Sequence, residues 1–185
     1  MKIYLTGSNG FIGTHLTNQL LNLSYNVVAP IRNFKSFQKP SHEQLNLIDL
    51  EYAEKSNKYF EKLGQIGCLI HCAARAHIMK DKKKDSLNAY REVNVKKTKK
   101  LAEAAAMHGI KRFIFLSSIK VNGEKTNESN TFNYNDSPNP QDFYSISKFE
   151  AENVLWEISE KTGLKVTVVR LPLVYGYGVK GNLKR

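Results

Sequence analysis

Apolar and polar positions follow two different periods along the chain, and the two periods alternate. Short apolar runs typical of buried parallel strands are each followed by a stretch with apolar positions at helical spacing. The predicted strands are residues 2–6, 26–31, 45–49, 67–75, 111–118 and 165–170. The predicted helices are residues 11–21, 50–62, 87–108 and 144–162. This alternation predicts an α/β fold with a doubly wound parallel sheet and right-handed crossovers.

The first predicted strand runs into a glycine-rich turn with the spacing G-x-x-G-x-x-G. Gly7 permits a turn that a side chain would block, Gly10 lets a diphosphate approach the main chain, and Gly13 lets the next helix pack closely on its strand. The amides of Phe11 and Ile12 then face the phosphates. The alternative is an ordinary strand-to-helix turn, but the flanking strand and amphipathic helix favour a dinucleotide site of the Rossmann type.

The end of the second predicted strand is where a dinucleotide fold recognises the adenosine ribose. An acidic residue there would bind the 2'-hydroxyl of NAD, but this chain has Ile31 followed by Arg32. A guanidinium group suits a 2'-phosphate. We therefore expect NADP or NAD as the cofactor, with NADP slightly preferred. The alternative is that Arg32 is merely an exposed residue.

Tyr144 and Lys148 are the main candidates for chemistry. They lie four residues apart in a predicted helix, so their side chains share one face. A free tyrosine has a pKa of about 10, and a lysine ammonium beside it would lower that pKa and make the phenolate a usable base. Ser118, at the carboxyl end of the fifth strand, could hydrogen-bond the substrate oxygen. The alternative is a packed tyrosine beside a solvated lysine.

Size and composition narrow the class of protein. The 185 residues suit one domain, and no apolar run approaches the roughly 20 residues of a membrane-spanning helix. No signal-peptide pattern follows Lys2, so we expect a cytoplasmic protein without membrane insertion. Cys68 and Cys72 lie near His71 and His77, but further ligand pairs at regular spacing are missing, which favours buried thiols over a metal site.

The formal net charge of +11 and the pI near 9.6 raise the question of a nucleic-acid partner. Lysines cluster at residues 80–84 and 96–100, without interleaved aromatic residues or a recognition-helix motif. Solvated faces are the preferred interpretation, and binding of nucleic acid is not expected. The same charge would attract an anionic substrate such as a nucleotide diphosphate sugar.

The motifs follow one another in an order that resembles the extended short-chain dehydrogenase/reductases of the NAD-dependent epimerase/dehydratase family. After the glycine turn come a His-x-Ala-Ala segment at residues 71–74, a Ser-x-x-Val-x-Gly segment at 118–123 and the Tyr-x-x-x-Lys pair. The resemblance covers essentially the whole chain. It implies a nucleotide-sugar epimerase or 4-keto reductase acting on a UDP-hexose or UDP-N-acetylhexosamine. Tyr144 would exchange a proton with the sugar while hydride passes between that carbon and the nicotinamide.

The resemblance also implies which residues contact the ligands. Those expected at the cofactor are Gly7, Gly10, Phe11, Ile12, Gly13, Arg32, Asn46, Leu47, Ala73, Ala74, Arg75, Tyr144, Lys148, Leu171 and Val174. Those expected at the substrate are Ser118, Lys120, Asn182 and Leu183. Lys148 would also hold the nicotinamide ribose, His71 would have a packing role, and Asn94 would brace the strand that carries Ser118.

Three places depart from the family pattern, and one of them is Leu173, which stands where many members have a substrate-binding asparagine. Asn122 stands where the family often has a tyrosine, a departure whose effect the sequence does not explain. Ile119 and Lys120 stand where the 4,6-dehydratases have an Asp-Glu pair that acts as acid and base in water elimination. Dehydratase activity is therefore disfavoured.

The resemblance implies a smaller substrate-binding domain that these 185 residues largely lack. We assign residues 1–171 to the dinucleotide-binding domain and residues 172–185 to the start of the substrate-binding region. We expect cofactor binding with little or no turnover. The alternative function is a catalytically incompetent dinucleotide-binding sensor or interaction module. Helices 87–108 and 144–162 would form the interface of a possible homodimer.

Overall fold

The strands and helices follow one another in the predicted order. The computed structural model describes residues 1–34, 42–56, 60–76, 86–126 and 130–179. Its strands are β1 Lys2–Thr6, β2 Asn26–Ile31, β3 Leu45–Asp49, β4 Cys68–His71, β5 Arg112–Ser118 and β6 Lys165–Leu171. Its helices are α1 Phe11–Asn22, α2 Leu50–Ser56, α3 Ser86–Tyr90, α4 Lys97–Met107 and α5 Phe143–Thr162. Each strand lies within one residue of its predicted bounds except β4, which is shorter.

The strands form one parallel sheet in the order β3-β2-β1-β4-β5-β6. The chain first adds strands on one side of β1 and then returns to add β4 on the other side. In open α/β sheets, ligands bind outside the carboxyl ends of the strands where the order reverses in this way. The doubly wound α/β fold is confirmed, and its switch point follows Thr6 and His71, which are paired in register.

Helices cover both faces of the sheet. Tyr4, Leu69 and Phe113 point into a core that includes residues of α2, α4 and α5. Leu5 and Ile70, the next residues along their strands, point into a second core that includes residues of α1. Successive strand residues alternate between faces, so strands buried on both faces read as nearly continuous apolar runs.

The predicted helix at residues 87–108 is a composite. Between α3 and α4, the segment Arg91–Lys96 is π-helical, which means that each hydrogen bond spans one residue more than in an α-helix. Gly109, with a φ of 71°, follows the end of α4. The pattern of apolar residues does not reveal this extra residue, although it changes which side chains face the sheet. Asn94, within this segment, is buried.

The predicted helix at residues 50–62 is shorter in the structure, because α2 ends at Ser56. Its start is fixed by Asp49, whose carboxylate accepts the Glu51 amide at 2.8 Å. Within the described ranges, no helix is both long and apolar enough to cross a bilayer.

Candidate active site

The glycine turn between β1 and α1 is built from contacts that leave no room for side chains. Gly7 has a φ of 70°, and a β-carbon there would lie 2.7 Å from the amide nitrogen of Ala73. A β-carbon at Gly13 would lie 2.0 Å from the carbonyl oxygen of Gly7. These two glycines therefore let α1 pack on β1 while the segment after β4 packs on the turn.

Gly10 borders the open side of the same turn. The nearest atom to a β-carbon built at Gly10 is the Gly7 carbonyl oxygen, at 3.1 Å. Gly10 is the N-cap of α1 and gives no side-chain hydrogen bond to the first amides of the helix, those of Phe11 and Ile12. A helix N-terminus with uncapped amides attracts anions. The turn therefore fits a dinucleotide diphosphate.

A chain of side-chain hydrogen bonds through His71 fixes the end of β4. The Ala73 amide donates to Thr6 Oγ1 at 3.2 Å, and Thr6 Oγ1 lies 2.6 Å from His71 Nδ1. His71 Nε2 lies 3.0 Å from Thr98 Oγ1, which itself donates to the Asn94 carbonyl oxygen. Because that hydroxyl proton is already used, Nε2 donates and Nδ1 accepts. Burial lowers the pKa of His71 to about 3, so the ring is neutral and has the packing role expected of it.

Asn94 joins the segment after β4 to α5. Its Oδ1 accepts from the Arg75 amide at 2.7 Å, and its Nδ2 donates to the Arg75 carbonyl oxygen at 3.1 Å and to Ser147 Oγ at 2.9 Å. The expectation that Asn94 braces β5 is wrong. The amide instead holds the main chain immediately after Ala73 and Ala74, the small residues predicted to face the cofactor.

Tyr144 lies in the first turn of α5. Asp142 caps this helix, because its carboxylate accepts the Ser145 amide at 2.6 Å and its own amide donates to Ser145 Oγ at 3.1 Å. The rings of Tyr144 and Tyr90 have centroids 6.4 Å apart, and the Arg75 guanidinium lies 5.2 Å from the Tyr90 ring centroid. A continuous set of contacts thus connects Tyr144 to the segment that packs on the glycine turn.

The electrostatics of Tyr144 differ from the prediction. Burial raises the pKa of the Tyr144 phenol, the charge of Asp142 raises it further, and the charge of Lys120 lowers it. The cation that lowers the pKa of this phenol is therefore Lys120, and the expectation that Lys148 does so is wrong here. A phenol with a raised pKa is protonated at neutral pH and can donate a hydrogen bond.

Lys148 is almost fully enclosed, with 1% of its surface exposed. Its Nζ lies 3.8 Å from the centroid of the Phe115 ring. Burial lowers the pKa of Lys148 to about 7, and the charge of Glu152 partly opposes this effect. The alternative of a solvated lysine is wrong. Near neutral pH this side chain is divided between ammonium and amine, so small changes in its surroundings change its charge.

Ser118 ends β5 and begins a 3-10 turn. Its Oγ accepts from the Lys120 amide at 3.3 Å. Lys120 Nζ donates to Glu124 Oε1 at 2.9 Å and to Asp142 Oδ2 at 2.8 Å, and these hydrogen bonds raise the pKa of Lys120. Lys120 therefore joins the turn after Ser118 to the cap of α5.

The segment after β6 returns to α1. Leu171 is the last residue of β6, and His15 Nε2, on α1, lies 2.9 Å from the Tyr177 carbonyl oxygen. Residues 172–176 therefore pass from β6 to the first helix at the carboxyl edge of the sheet. Leu171 and Val174, predicted to contact the cofactor, begin this crossing.

The residues predicted at the adenosine end do not all reach the carboxyl edge. Arg32 directly follows β2 and is exposed. Asn46 and Leu47, however, lie inside β3, and the end of that strand is Asp49. At about 3.3 Å per residue, Asn46 is set back from the edge by roughly 10 Å. The contact of Asn46 and Leu47 with the adenosine stays a prediction, and Asp49 at the strand end accepts the Glu51 amide.

Other predicted features are only partly described. Asn182 and Leu183, predicted at the substrate, lie outside the described residues, as does the lysine cluster at residues 80–84. Cys68 and Cys72 are free thiols. Burial raises the pKa of both, that of Cys72 to about 12, so neither is a reactive thiolate at neutral pH.

The sequence-based prediction missed a buried ion pair beside Lys148. Glu152, four residues further along α5, is 1% exposed and accepts hydrogen bonds from Ser117 and Arg170. Two signals could have identified it. Arg170 is a charged residue in a strand of mostly apolar residues, and Glu152 lies one helical turn from a lysine that is itself buried.

The sequence profile of the NAD dependent epimerase/dehydratase family matches residues 3–185. The chain is 40% identical over 182 residues to the UDP-glucose 4-epimerase of Vibrio cholerae, which covers 98% of this chain and 54% of that protein. It is similar to the structure of UDP-glucuronic acid 4-epimerase from Bacillus cereus in complex with NAD, with a TM-score of 0.78 and 25% identity over 95% of this chain and 58% of the other.

A second solved structure gives the same fold. The UDP-glucose 4-epimerase with UDP-glucose from Thermotoga maritima has a TM-score of 0.77 and 26% identity, over 92% of this chain and 55% of that one. The chain spans about half the length of the curated relatives it matches. The matched half includes the glycine turn, the end of β4, the end of β5 and α5.

Proposed function

The chain belongs to the NAD dependent epimerase/dehydratase family, and from this premise we propose that it forms the cofactor-binding and proton-transferring part of a UDP-sugar 4-epimerase or 4-keto reductase. The observation that carries the proposal is Lys148, a buried lysine one helical turn after Tyr144, whose Nζ lies over the Phe115 ring of β5. The relatives named above are UDP-sugar 4-epimerases, which supports the UDP-sugar class.

The glycine turn and the end of β4 would hold the cofactor. The amides of Phe11 and Ile12 would bind the diphosphate across the open side of Gly10. Ala73 would leave space for the dinucleotide beside the turn, and Lys148 would bind the nicotinamide ribose. When bound, the nicotinamide would accept hydride from a sugar carbon or return it.

Tyr144 would exchange the proton. Its raised pKa keeps the phenol protonated at neutral pH, which suits donation to a ketone oxygen. Removal of a proton from a sugar hydroxyl needs the phenolate, and additional positive charge at the site would favour it. Ser118 would donate a second hydrogen bond to the same sugar oxygen. Epimerase and 4-keto reductase reactions use these groups in the same way.

Water elimination is not part of the proposal. It would require an acid and a base where this chain has Ile119 and Lys120. Lys120 also contacts two carboxylates, those of Glu124 and Asp142, which keep it charged and unsuitable as a base. As a substrate contact, Lys120 would act through this ammonium.

We keep NADP as the slightly preferred cofactor because Arg32 is exposed directly after β2. The structural relatives named in complex with a cofactor contain NAD, which supports the dinucleotide class without favouring the phosphate. Replacing Arg32→Asp tests the point. If the guanidinium binds a 2'-phosphate, affinity for NADPH falls at least about tenfold, while affinity for NADH stays equal or rises.

Fluorescence titration with NADH and NADPH tests the site as a whole. We expect the 185-residue chain to bind at least one of them, and Lys148→Met to weaken binding about tenfold or more. Lys161→Met is the matched control, since Lys161 is an exposed lysine on the same helix. If neither dinucleotide binds, or if Lys148→Met binds as tightly as the parent, the proposal is wrong.

A non-catalytic dinucleotide sensor is the second candidate, because the raised pKa of Tyr144 disfavours the phenolate that removal of a sugar proton needs. A single-turnover test separates the two functions. Deuterated NADH and a UDP-4-keto-hexose are mixed with excess protein, and the sugar is analysed by mass spectrometry. Transfer that is lost in Tyr144→Phe supports the enzyme, whereas binding without transfer supports the sensor.

We also propose a homodimer formed through α4 and α5. Trp156 on α5 is 43% exposed, an unusual exposure for a large aromatic residue and one typical of an interface. Trp156→Glu is expected to yield a monomer by size-exclusion chromatography with light scattering. A monomeric parent protein would contradict this proposal.

A cytoplasmic location completes the proposal. The free thiols of Cys68 and Cys72 fit a reducing compartment. Cell fractionation of the tagged protein tests the location.

A further inference from the structure

A buried carboxylate on α5 accepts hydrogen bonds from two adjacent strands, close to the strand ends that carry predicted site residues. Glu152 on α5 is 1% exposed. It accepts a hydrogen bond from Ser117 Oγ on β5. It also accepts hydrogen bonds from Arg170 on β6. Arg170 Nη2 lies 2.6 Å from Oε2, and Arg170 Nε lies 3.2 Å from both Oε1 and Oε2. A carboxylate is buried only when such charged and hydrogen-bonding partners replace water.

The position of this carboxylate follows from the register of the sheet. Ser117 and Arg170 are paired on adjacent strands, so their side chains lie side by side on the face covered by α5. The next pair along the strands is Ser118 with Leu171, residues assigned above to the substrate and the cofactor. Glu152 therefore fixes α5 to both strands one residue before they reach the site.

Arg170 extends the network to the turn after Ser118. Its Nη1 donates to Asn122 Oδ1 at 3.0 Å, and Asn122 Nδ2 donates to the Asn133 carbonyl oxygen at 3.0 Å. Asn122 ends the 3-10 turn. This contact accounts for Asn122 at a position where the family often has a tyrosine: its amide oxygen is the acceptor for a partly buried guanidinium.

The charges in this region depend on one another. Lys148 packs on Phe115 from β5, and the groups near it include the thiol of Cys72 and the neutral ring of His71. Glu152 is the anion one helical turn away on the same helix. Without Glu152, the buried Lys148 and the partly buried Arg170 would be two cations without the carboxylate that they share, an arrangement that disfavours the charged form of lysine.

We propose that Glu152 is a positioning residue for the Tyr144–Lys148 site. Held by Ser117 and Arg170, its carboxylate fixes α5 against the ends of β5 and β6 and keeps the Lys148 ammonium charged for binding the nicotinamide ribose. The inference rests on the proposed function, because that function supplies the role of the ammonium.

The test is the pH dependence of the dissociation constant for NADH, or for NADPH if that is the dinucleotide bound. In the parent protein, affinity is expected to fall as the pH rises through about 7, since Lys148 then loses its proton. Glu152→Gln keeps the size of the side chain and removes the charge. We expect its midpoint to lie about one pH unit lower, with about fivefold weaker binding at pH 7. The parent protein and all variants are compared with His15→Gln in place, so that the imidazole on α1 is absent from every measurement.

Two further variants separate charge from packing. Arg170→Gln removes the cation that competes for Glu152, so its midpoint is expected to move upward, opposite to that of Glu152→Gln. Glu152→Asp restores the charge and is expected to return the midpoint toward that of the parent. Asn122→Ala is the matched control, because it removes an outer hydrogen bond and no charge, and its midpoint should not change.

The outcomes are distinguishable. Opposite midpoint shifts in Glu152→Gln and Arg170→Gln support the proposal, and midpoints unchanged in both overturn it. If Glu152→Gln does not fold, Arg170→Gln decides alone, an upward shift supporting and an unchanged midpoint contradicting it. If the parent protein binds no dinucleotide, the proposed function fails. If the pH dependence of binding in the parent protein is lost in Lys148→Met but is unchanged in Glu152→Gln and Arg170→Gln, only the proposed role of Glu152 is wrong.

Discussion

The ammonium nitrogen of Lys148 lies 3.8 Å from the centre of the Phe115 ring. His71 lies beside Phe115 on the neighbouring strand β4, and its ring is stacked on the Phe115 ring with centroids 5.8 Å apart and planes 18° from parallel. A cation over an aromatic face is stabilised by the negative charge density of that face, most strongly where water is excluded. Phe115 is therefore part of what keeps a charge at a site with almost no exposure.

Phe115→Leu is expected to lower the pKa of Lys148 below about 7, because the aliphatic side chain keeps the burial and removes the aromatic face. It should also destabilise the fold by about 1–3 kcal/mol. The measurement is the pH midpoint of NADH or NADPH binding, beside urea unfolding. Phe113→Leu is the control, since Phe113 is equally buried but has no such contact with Lys148. Equal midpoints in the two variants would contradict a role for the ring.

His71 should make stability depend on pH. Its pKa is about 3 in the folded protein against 6.5 for the ordinary side chain, so between these values the unfolded chain binds a proton that the folded protein does not. The free energy of unfolding therefore falls as the pH drops from 6.5 toward 3, by on the order of 4 kcal/mol over the full range.

The measurement is urea unfolding at several pH values, compared with His71→Asn. Asparagine can still accept from Thr6 and donate to Thr98, but it does not titrate. The variant should lose the part of the pH slope that belongs to His71. Parallel slopes in both proteins would show that His71 is protonated in the folded state.

The geometry of the glycine turn predicts different effects for two substitutions, one at Gly13 and one at Gly10. Gly13→Ala places a methyl group 2.0 Å from the Gly7 carbonyl oxygen, so the helix must move, and we expect a loss of several kcal/mol of stability. Gly10→Ala meets its nearest atom at 3.1 Å and has a φ of −80°, which suits any residue. It should stay folded and bind NADH or NADPH at least about tenfold more weakly, because the methyl group occupies the side open to the diphosphate.

Thermal unfolding and dinucleotide titration of both variants check this distinction. A stable Gly13→Ala would contradict the close packing of α1 on β1. A Gly10→Ala with unchanged affinity would mean that the diphosphate lies elsewhere.

Asn94→Ala tests how much the hydrogen bonds of the Asn94 side chain stabilise the segment after β4. The substitution removes the hydrogen bonds that Asn94 makes with the amide and the carbonyl group of Arg75, and loss of such bonds at a buried group typically costs about 1–3 kcal/mol. Asn153→Ala, at an exposed position of α5, is the control and should change stability by less than about 0.5 kcal/mol. Urea unfolding measures both. Equal stabilities would show that Ser147 or water replaces the amide.

The parts of this fold that local sequence determines were predictable. Apolar runs gave the strands, and the spacing of Gly7 and Gly13 gave the turn. The helix predicted to end at residue 162 ends there in the structure, before Gly163 with a φ of 75°. Each of these depends on neighbouring residues or on the conformational freedom of glycine.

The parts that depend on tertiary register were not predictable. Asn94 was assigned the wrong partner because a π-helical segment turns it toward Arg75, and the helical period does not reveal such a segment. The charge acting on Tyr144 was assigned to Lys148 from helical spacing, whereas the folded chain brings Lys120 to it from another element.

The Glu152–Arg170 contact has one more consequence. β6 is the last strand in the order of the described sheet, and a terminal strand has only one neighbour to align it. A slide by two residues would keep every side chain on its proper face, so apolar packing alone discriminates weakly against it. Such a slide would bring Val168 or Pro172 beside Ser117 and leave the carboxylate without its guanidinium. The ion pair thus selects a single alignment for the outermost strand, with an accuracy that hydrophobic side chains could not provide.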